Sequence, residues 1–309
     1  MGPEVITLII FFASVLILIA ILTVVFFKMA FIRGKVDDYM SKEHSDPKLK
    51  ALQVLMKNGV EWYFNYPKQS VYIKSYDGLK LHAELLKAEE PTDKIIILFH
   101  GYRSVARNDF SCAIPYYNSL GMDILLVDQR AHGLSEGKLI TFGVKERFDV
   151  RSWVNYVREL YGENKKIYLS GISMGSSTVM MASNLVDNVD GIVADCGYTS
   201  PREIIEIVAK KRYALPKWCV APVGLAAKLF GGFDYSYSAK TALAETKAPV
   251  LFIHGSADDF VPCYMTEQTY ESCSADKKKV IVPDAPHGYS FLFAMDEVKS
   301  AIEGFVLKQ

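Results

Sequence analysis

Short apolar segments alternate with helix-length segments over most of this chain, and this alternation constrains the fold more than any other feature. The apolar segments are rich in β-branched residues and lie at 95–99, 124–127, 167–169, 192–194, 250–253 and 280–282. Helix-length segments lie between and after them, at about 108–119, 143–161, 175–187, 262–272 and 289–307. Such apolar segments are typical of strands buried on both faces of a parallel sheet. The alternation therefore predicts an α/β fold with helices on both faces of the sheet.

A hairpin precedes the first of these segments. Apolar and polar residues alternate around Val71 and Ile73, and again over 79–85, on either side of the dipeptide Asp77-Gly78. An Asp-Gly pair between two alternating segments favours antiparallel pairing through a tight turn. With these two strands added, the sequence predicts a mostly parallel sheet of eight strands.

One interval is too long for a single crossover between strands. More than fifty residues separate Asp195 from the strand that begins at Val250. We expect a crossover plus a small helical insertion at about 201–245. Long insertions often carry function, so a lid over a pocket is favoured over an additional packing element.

The N-terminal segment 5–27 contains 23 residues and no charged side chain. As a helix it is roughly 34 Å long, enough to cross a bilayer core of about 30 Å. A cleaved signal peptide is the alternative, but no basic residue precedes the segment and Lys28-Met29-Ala30-Phe31 follows it. We predict a transmembrane anchor with its basic flank at 1–35, a juxtamembrane stalk at 36–69 with a short helix near 48–56, and a folded domain at 70–309.

Charge and cysteine content indicate where the domain lies. Lys28, Arg33, Lys35 and Lys42 follow the apolar segment, whereas Glu4 precedes it. The positive-inside rule therefore predicts a single-pass cell-membrane protein whose domain faces the cytoplasm. The five cysteines form no regular framework, which agrees with a reducing compartment.

Overall composition excludes two classes of protein. Hydrophobic residues make up 50% of the chain and charged residues 23%, which is unlike a disordered protein. The 35 basic and 35 acidic side chains balance, so no electrostatic signal for a nucleic-acid partner is present.

The pentapeptide Gly171-Ile172-Ser173-Met174-Gly175 lies between a predicted strand and a predicted helix. A serine on a sharp strand-to-helix turn needs small residues two positions away on both sides, because the backbones approach closely there. The helix that follows directs backbone N–H groups toward an anion formed at the turn. This position favours Ser173 as a nucleophile over the alternative, a serine that only caps a helix.

A serine hydroxyl needs a base to take its proton, and that base is normally a histidine. After a turn of this kind the acid and then the histidine follow in chain order, which leaves His254 and His287. His254 closes a predicted strand, and the acid candidates follow it. His287 lies on a loop after the last strand, and we therefore predict it as the base.

The acid is expected on the loop after the penultimate strand. Asp258 lies there and is our preferred residue; Asp259 and Asp195 are alternatives. A carboxylate in this position fixes the tautomer of the imidazole and stabilises the imidazolium. Without a catalytic role, Asp258 would be a turn-forming residue.

These motifs together resemble the α/β-hydrolase superfamily, in particular membrane-anchored bacterial hydrolases related to serine aminopeptidases and monoacylglycerol lipases. The resemblance covers about 70–309 and is carried by His100-Gly101-Tyr102, the 128–135 loop, the serine pentapeptide, His254-Gly255 with Asp258 and Val261-Pro262, and His287-Gly288. It implies an oxyanion hole made of the backbone N–H groups of Tyr102 and Met174. It also implies that His100 and the 128–135 loop shape the site.

The function predicted from the sequence is a membrane-anchored serine hydrolase. Its substrate would be a small-molecule or lipid-like carboxylic ester or thioester, cleaved through an acyl-enzyme. A peptidase or amidase with the same triad is the alternative, with Glu203, Glu206, Asp234 or Asp195 available to bind a substrate amine. A non-catalytic binding module is a further alternative. The sequence has neither a dinucleotide glycine pattern nor metal-ligand spacing, so we predict no cofactor and no metal.

Overall fold

A single sheet forms the centre of the molecule, and the computed structural model describes residues 2–36, 46–186 and 188–307. The strands are β1 Gln69–Lys74, β2 Lys80–Leu86, β3 Lys94–Phe99, β4 Asp123–Asp128, β5 Lys166–Ile172, β6 Gly191–Asp195, β7 Val250–Gly255 and β8 Lys277–Val282. Their order across the sheet is β1-β2-β4-β3-β5-β6-β7-β8. β2 pairs antiparallel with β1 and β4, and all other pairs are parallel. The predicted eight-stranded, mostly parallel sheet and its first hairpin are confirmed.

Helices connect the strands and cover the sheet. They are α1 Pro3–Phe31, α2 Pro47–Asn65, α3 Ala106–Asp109, α4 Ala113–Ser119, α5 Glu146–Tyr161, α6 Met174–Ala182, α7 Pro201–Tyr213, α8 Ala221–Ala226, α9 Ala239–Leu243, α10 Tyr264–Ser272, α11 Ser290–Phe293 and α12 Met295–Val306. The predicted helices 108–119 and 289–307 are each divided into two. The predicted helix 175–187 ends at Ala182, and residue 187 lies outside the described residues.

Side chains of the central strand β3 alternate between two apolar cores. Ile95 and Ile97 belong to the cluster that contains Trp153 of α5, whereas Ile96 and Leu98 belong to the cluster on the other face. All four β3 side chains are completely buried. Burial of one such side chain stabilises the fold by about 1.5–3 kcal/mol. A strand covered on both faces therefore appears in the sequence as an uninterrupted apolar segment.

Helix α2 packs on the domain within the segment predicted as a stalk. It is longer than the helix expected near 48–56, and its Met56 and Tyr63 are buried. At Gly59 a Cβ atom would lie 2.1 Å from the backbone oxygen of Ser111, so only glycine allows this approach. Residues 37–45 of the predicted stalk, including Lys42, lie outside the described residues.

Helix α1 contains 29 residues and is long and apolar enough to cross a bilayer, alone among the described helices. Residues 2–25 are exposed apart from the half-buried Thr23. Phe26, Phe27 and Ala30 pack against the core, and Phe31 at the end of the helix is fully buried. The Phe31 ring packs edge-on against Phe142 and Phe233, with centroid distances of 5.6 and 5.2 Å.

The long interval between β6 and β7 contains helices, as expected. α7 is followed by a 3₁₀ turn at Lys217–Val220, by α8, by a π-helical turn at Ala227–Gly231 and by α9. We call the part from Lys217 to Gly231 the lid segment. α8 packs against α1, so the lid segment and the N-terminal helix lie side by side.

Candidate active site

Ser173 lies on the sharp turn between β5 and α6. Its φ of 56° and ψ of −115° are unfavourable for a residue with a side chain. A Cβ at Gly171 would lie 2.3 Å from backbone atoms of Gly175, and one at Gly175 would lie 1.8 Å from the Phe99 oxygen. Both glycines are therefore required by backbone contact. Strain of this kind costs about 1–3 kcal/mol and persists only where the surrounding fold imposes it.

The structure brings the predicted nucleophile, base and acid into one chain of hydrogen bonds. The Nε2 atom of His287 lies 2.9 Å from the Ser173 hydroxyl, across 114 positions of sequence. The Nδ1 atom of His287 lies 2.6 Å from Oδ2 of Asp258. Because a carboxylate only accepts, Nδ1–H donates to Asp258 and Nε2 is left to accept from the serine hydroxyl. This tautomer is the one that a general base requires.

Asp258 is surrounded by hydrogen-bond donors. Its Oδ1 accepts from the backbone N–H groups of Phe260 and Val261, at 2.9 and 2.8 Å. Burial by itself raises the pKa of this carboxyl, but hydrogen bonds from His254 and His287 outweigh burial and hold the pKa well below its usual range. Asp258 is therefore a carboxylate at neutral pH.

His254 was considered as a base from the sequence, and the structure places it elsewhere. It is fully buried, and its Nε2 lies 3.2 Å from Oδ2 of Asp258, the oxygen that also contacts His287. Asp258 thus lies between two imidazoles. The spacing of four residues between His254 and Asp258 is the sequence signal for this contact, although a strand end and a loop carry it rather than a helix.

The alternative acids do not contact His287 among the described residues. Asp195 is buried, accepts from the Ser290 hydroxyl at 3.0 Å, and has its pKa raised by burial to about 6. Its backbone oxygen accepts from the N–H of Ser173 at 2.9 Å and so helps to hold the turn. Asp259 is exposed.

Ser173 opens into a cavity of about 430 Å³. This volume lies within the range of small-molecule sites, which is roughly 300–1,000 Å³. Tyr102 and Met174, the residues expected to form the oxyanion hole, line the same cavity. Met174 is the first residue of α6, so its N–H has no partner within the helix and is available to a ligand. Most of the remaining wall comes from α1, α7 and the lid segment, and Phe142, Tyr198 and Phe260 complete it with Arg103 and Leu215.

The loop that carries Tyr102 is held on both sides of that residue. The N–H of Gly101 donates to Oδ2 of Asp109 at 2.6 Å, and the N–H of Arg103 donates to Nε2 of His132 at 3.0 Å. Burial, followed by the nearby His100, lowers the pKa of His132 to about 3. His132 is therefore neutral and able to accept this hydrogen bond.

His100 lies beneath this loop rather than in the cavity. It is fully buried, and its Nε2 accepts from the backbone N–H of Gln129 at 3.2 Å. The Gln129 side chain in turn donates to the His100 backbone oxygen at 2.5 Å. His100 and the 128–135 loop thus hold each other and support the Tyr102 loop.

Carboxylates considered for binding a substrate amine lie outside the cavity wall. Glu206 pairs with Arg202 at 2.8 Å, and Asp234 accepts from Ser236. Glu203 accepts from the Thr199 hydroxyl. The charged side chains that line the cavity, among the described residues, are Arg103 and Arg212. A site for a cationic amine is therefore not favoured here.

One group of potential metal ligands overlaps the site. The ligand atoms of Cys196, Asp258 and His287 lie within 4.8 Å of one another. Asp258 and His287 already bond to each other, and burial raises the pKa of the Cys196 thiol well above its usual value. A protonated thiol is a poor ligand, so the donor set does not favour a metal.

Comparison with known proteins agrees with this fold. Residues 94–220 match the family model described as the alpha/beta hydrolase fold. The chain has the α/β-hydrolase fold. An esterase of Pyrococcus furiosus, Pf2001, superimposes with a TM-score of 0.64 at 25% identity, over 80% of this chain and 94% of the esterase.

Two sequence relatives cover about the same part of the chain. The α/β-hydrolase-fold chain is 27% identical to the uncharacterized protein YqkD of Bacillus subtilis, over 71% of this chain and 73% of that protein. It is 25% identical to the uncharacterized membrane protein YNL320W of Saccharomyces cerevisiae, over 69% and 71% respectively.

Proposed function

We propose that this chain is a membrane-anchored serine hydrolase that cleaves carboxylic esters or thioesters. The observation that carries the proposal is the hydrogen-bonded chain from Asp258 through His287 to Ser173, at a strained turn facing a cavity. The similarity to an esterase at 25% identity supports ester substrates.

The reaction begins when Ser173 Oγ attacks the acyl carbonyl and His287 Nε2 takes its proton. The N–H groups of Tyr102 and Met174 stabilise the oxyanion. One such donor typically lowers the activation free energy by about 2.7–4 kcal/mol. His287 then protonates the leaving alcohol or thiol, and an acyl-enzyme remains. Water, deprotonated by His287, attacks the acyl-enzyme, releases the acid and regenerates Ser173.

Amide hydrolysis is the less favoured reaction of this site. The carboxylates considered for binding a substrate amine lie outside the cavity, and Glu206 forms an ion pair with Arg202. The charged side chains of the cavity wall are arginines. A comparison of p-nitrophenyl esters with aminoacyl anilides measures this preference directly. Turnover of esters and not of anilides is expected.

Membrane anchoring through α1 is part of the proposal. The helix has the length and composition of a membrane span, and most residues of its exposed part are apolar. Lys28, Arg33 and Lys35 at its carboxyl end favour a cytoplasmic domain. Protease treatment of intact cells is expected to leave the domain uncut, whereas treatment of inside-out vesicles is expected to degrade it.

The test of the nucleophile is Ser173→Ala, with Ser176→Ala as the matched control. Ser176 lies on the same helix, is buried, and its hydroxyl has no hydrogen-bond partner among the described residues. Ser173→Ala should abolish both ester turnover and covalent labelling by a fluorophosphonate, while Ser176→Ala keeps both. Labelling that persists on Ser173→Ala would show that another residue is the nucleophile.

A further inference from the structure

The anchoring helix forms part of the wall of the catalytic cavity. Phe26, Met29 and Ala30 of α1 line the same cavity as Ser173. We propose that the site takes acyl amphiphiles directly from the bilayer, with the acyl chain lying along the end of α1. This inference rests on the proposed hydrolase function and names the substrate class of that site.

The exposure of α1 along its length sets its position relative to a membrane. The exposed part from residue 5 to residue 25 is about 31 Å long at 1.5 Å per residue, which matches the roughly 30 Å hydrocarbon core. Phe26 is the next residue, and it both packs against the core and lines the cavity. The cavity wall therefore begins where the hydrocarbon core ends.

The lid segment and the end of α7 line the cavity beside α1. The Phe26 ring packs edge-on against Tyr213 of α7 with a centroid distance of 6.0 Å, and Val220 and Val223 of the lid segment also line the cavity. α8 packs directly against α1. An acyl chain between these walls contacts apolar side chains from both the anchor and the lid segment.

The outer surface of the lid segment is strongly apolar. Trp218, Leu225, Leu229 and Phe230 are 75%, 59%, 66% and 81% exposed. Exposed apolar residues grouped in this way mark an interaction surface. Because this surface belongs to the segment that packs against α1, the bilayer around α1 is the partner that covers it.

Basic side chains accompany the apolar surface. Lys28 ends the apolar part of α1, and Lys210, Lys217 and Lys228 are exposed on α7 and the lid segment. Lysine and arginine beside an apolar face are typical of segments that lie at the headgroup level of a membrane. The lid segment is thus suited to lie in the interface, with the cavity beneath it.

The decisive variant is Ala30→Trp, with Ala20→Trp as the matched control on the exposed part of the same helix. Full-length protein in phospholipid vesicles is tested with p-nitrophenyl acetate and p-nitrophenyl laurate. Ala30→Trp should lower kcat/KM for laurate by about tenfold or more, the scale of one overfilled contact. Acetate has no acyl chain to compete for this space, so the laurate-to-acetate ratio of kcat/KM should fall by about tenfold relative to the unmodified protein. Ala20→Trp should change kcat/KM for either substrate by no more than about twofold. If the laurate-to-acetate ratio of kcat/KM is the same in Ala30→Trp and Ala20→Trp, the proposal is overturned.

A second measurement does not depend on turnover or on the folding of Ala30→Trp. Vesicles that contain a fatty acid with a diazirine in its tail are irradiated with the unmodified protein, and adducts are mapped by mass spectrometry. Adducts at 26–30 and at 219–223 support entry from the bilayer. If acetate is hydrolysed at Ser173 and these adducts are missing, the bilayer route is wrong and the hydrolase function stands. If the adducts form and no ester is cleaved, the hydrolase function fails and the binding of amphiphiles stands.

Discussion

The hydroxyl of Tyr102 lies 2.9 Å from the backbone oxygen of Ala30 and 3.1 Å from that of Met29. These oxygens belong to the last turn of α1, where carbonyl groups lack helical partners. The residue whose N–H is proposed for the oxyanion hole is therefore tied through its side chain to the anchoring helix. The packing of α1 on the domain therefore affects the position of the Tyr102 N–H in the site.

Tyr102→Phe tests this coupling because it removes only the hydroxyl. Loss of the hydrogen bond should cost about 1 kcal/mol and lower kcat/KM for esters by about fivefold. Tyr72→Phe, on a half-exposed ring of β1, is the control and should leave the rate unchanged. Equal rates for both variants would show that the Tyr102 hydroxyl does not position the loop.

Asp258→Asn tests the acid. Asparagine preserves the shape but favours the wrong tautomer of His287, and kcat should fall by about 10³–10⁴. Asp259→Asn is the neighbouring control. Because the side chain of Asp259 is exposed, this substitution should change kcat by no more than about twofold. Steady-state kinetics with an activated ester measure both variants. A larger loss in Asp259→Asn would identify Asp259 as the acid instead.

Gly175→Ala tests the steric origin of the serine turn. The added methyl would lie 1.8 Å from the Phe99 oxygen, so the free energy of unfolding should fall by about 3 kcal/mol or more. Gly304→Ala is the control in α12, because no atom lies within 4 Å of the added methyl. That control should stabilise the protein by about 0.5–1 kcal/mol. Chemical unfolding of both variants measures the difference.

His132 predicts a pH dependence of stability. Its pKa of about 3 in the folded protein lies below the ordinary value of 6.5. Between these two pH values His132 is protonated in the unfolded chain and neutral in the folded one. The contribution of His132 to stability is therefore fully present above about pH 6.5 and is lost as pH falls toward 3, by up to about 1.4 kcal/mol per pH unit.

His132→Gln removes this titration. The free energy of unfolding of the wild type should fall more steeply than that of the variant between pH 6.5 and 5, as measured by urea unfolding at fixed pH values. Parallel slopes for the two proteins would mean that the pKa of His132 is the same in the folded and the unfolded chain. The side-chain oxygen of glutamine accepts hydrogen bonds as Nε2 of His132 does, so the variant keeps an acceptor for the Arg103 N–H and should keep ester turnover.

Local sequence patterns were sufficient to predict the sheet and the serine turn. The β3 segment is uninterrupted and apolar because both of its faces are buried, and Gly171 and Gly175 are required by backbone contact alone. The chain order of Ser173, Asp258 and His287 indicated the candidate triad, since strand ends of a parallel sheet meet at one edge.

Contacts between segments that are distant in the sequence could not be predicted from such local patterns. The spacing of four residues brings His254 close to Asp258, but nothing near His254 shows that the same carboxylate oxygen also contacts His287, because that second contact depends on how two loops meet. The docking of α2 likewise depends on Ser111, about fifty residues away, whose backbone faces Gly59.

The amino-acid sequence by itself determined that an apolar helix precedes an α/β sheet with a serine at a strand-to-helix turn. Periodicity and steric demand act over a few residues, so the sequence displays them directly. Only the tertiary structure decided that the end of α1 is a wall of the cavity and that Tyr102 bonds to it. Phe26 and Ala30 have the same apolar character as the rest of that helix, and what distinguishes them is the surface against which they pack.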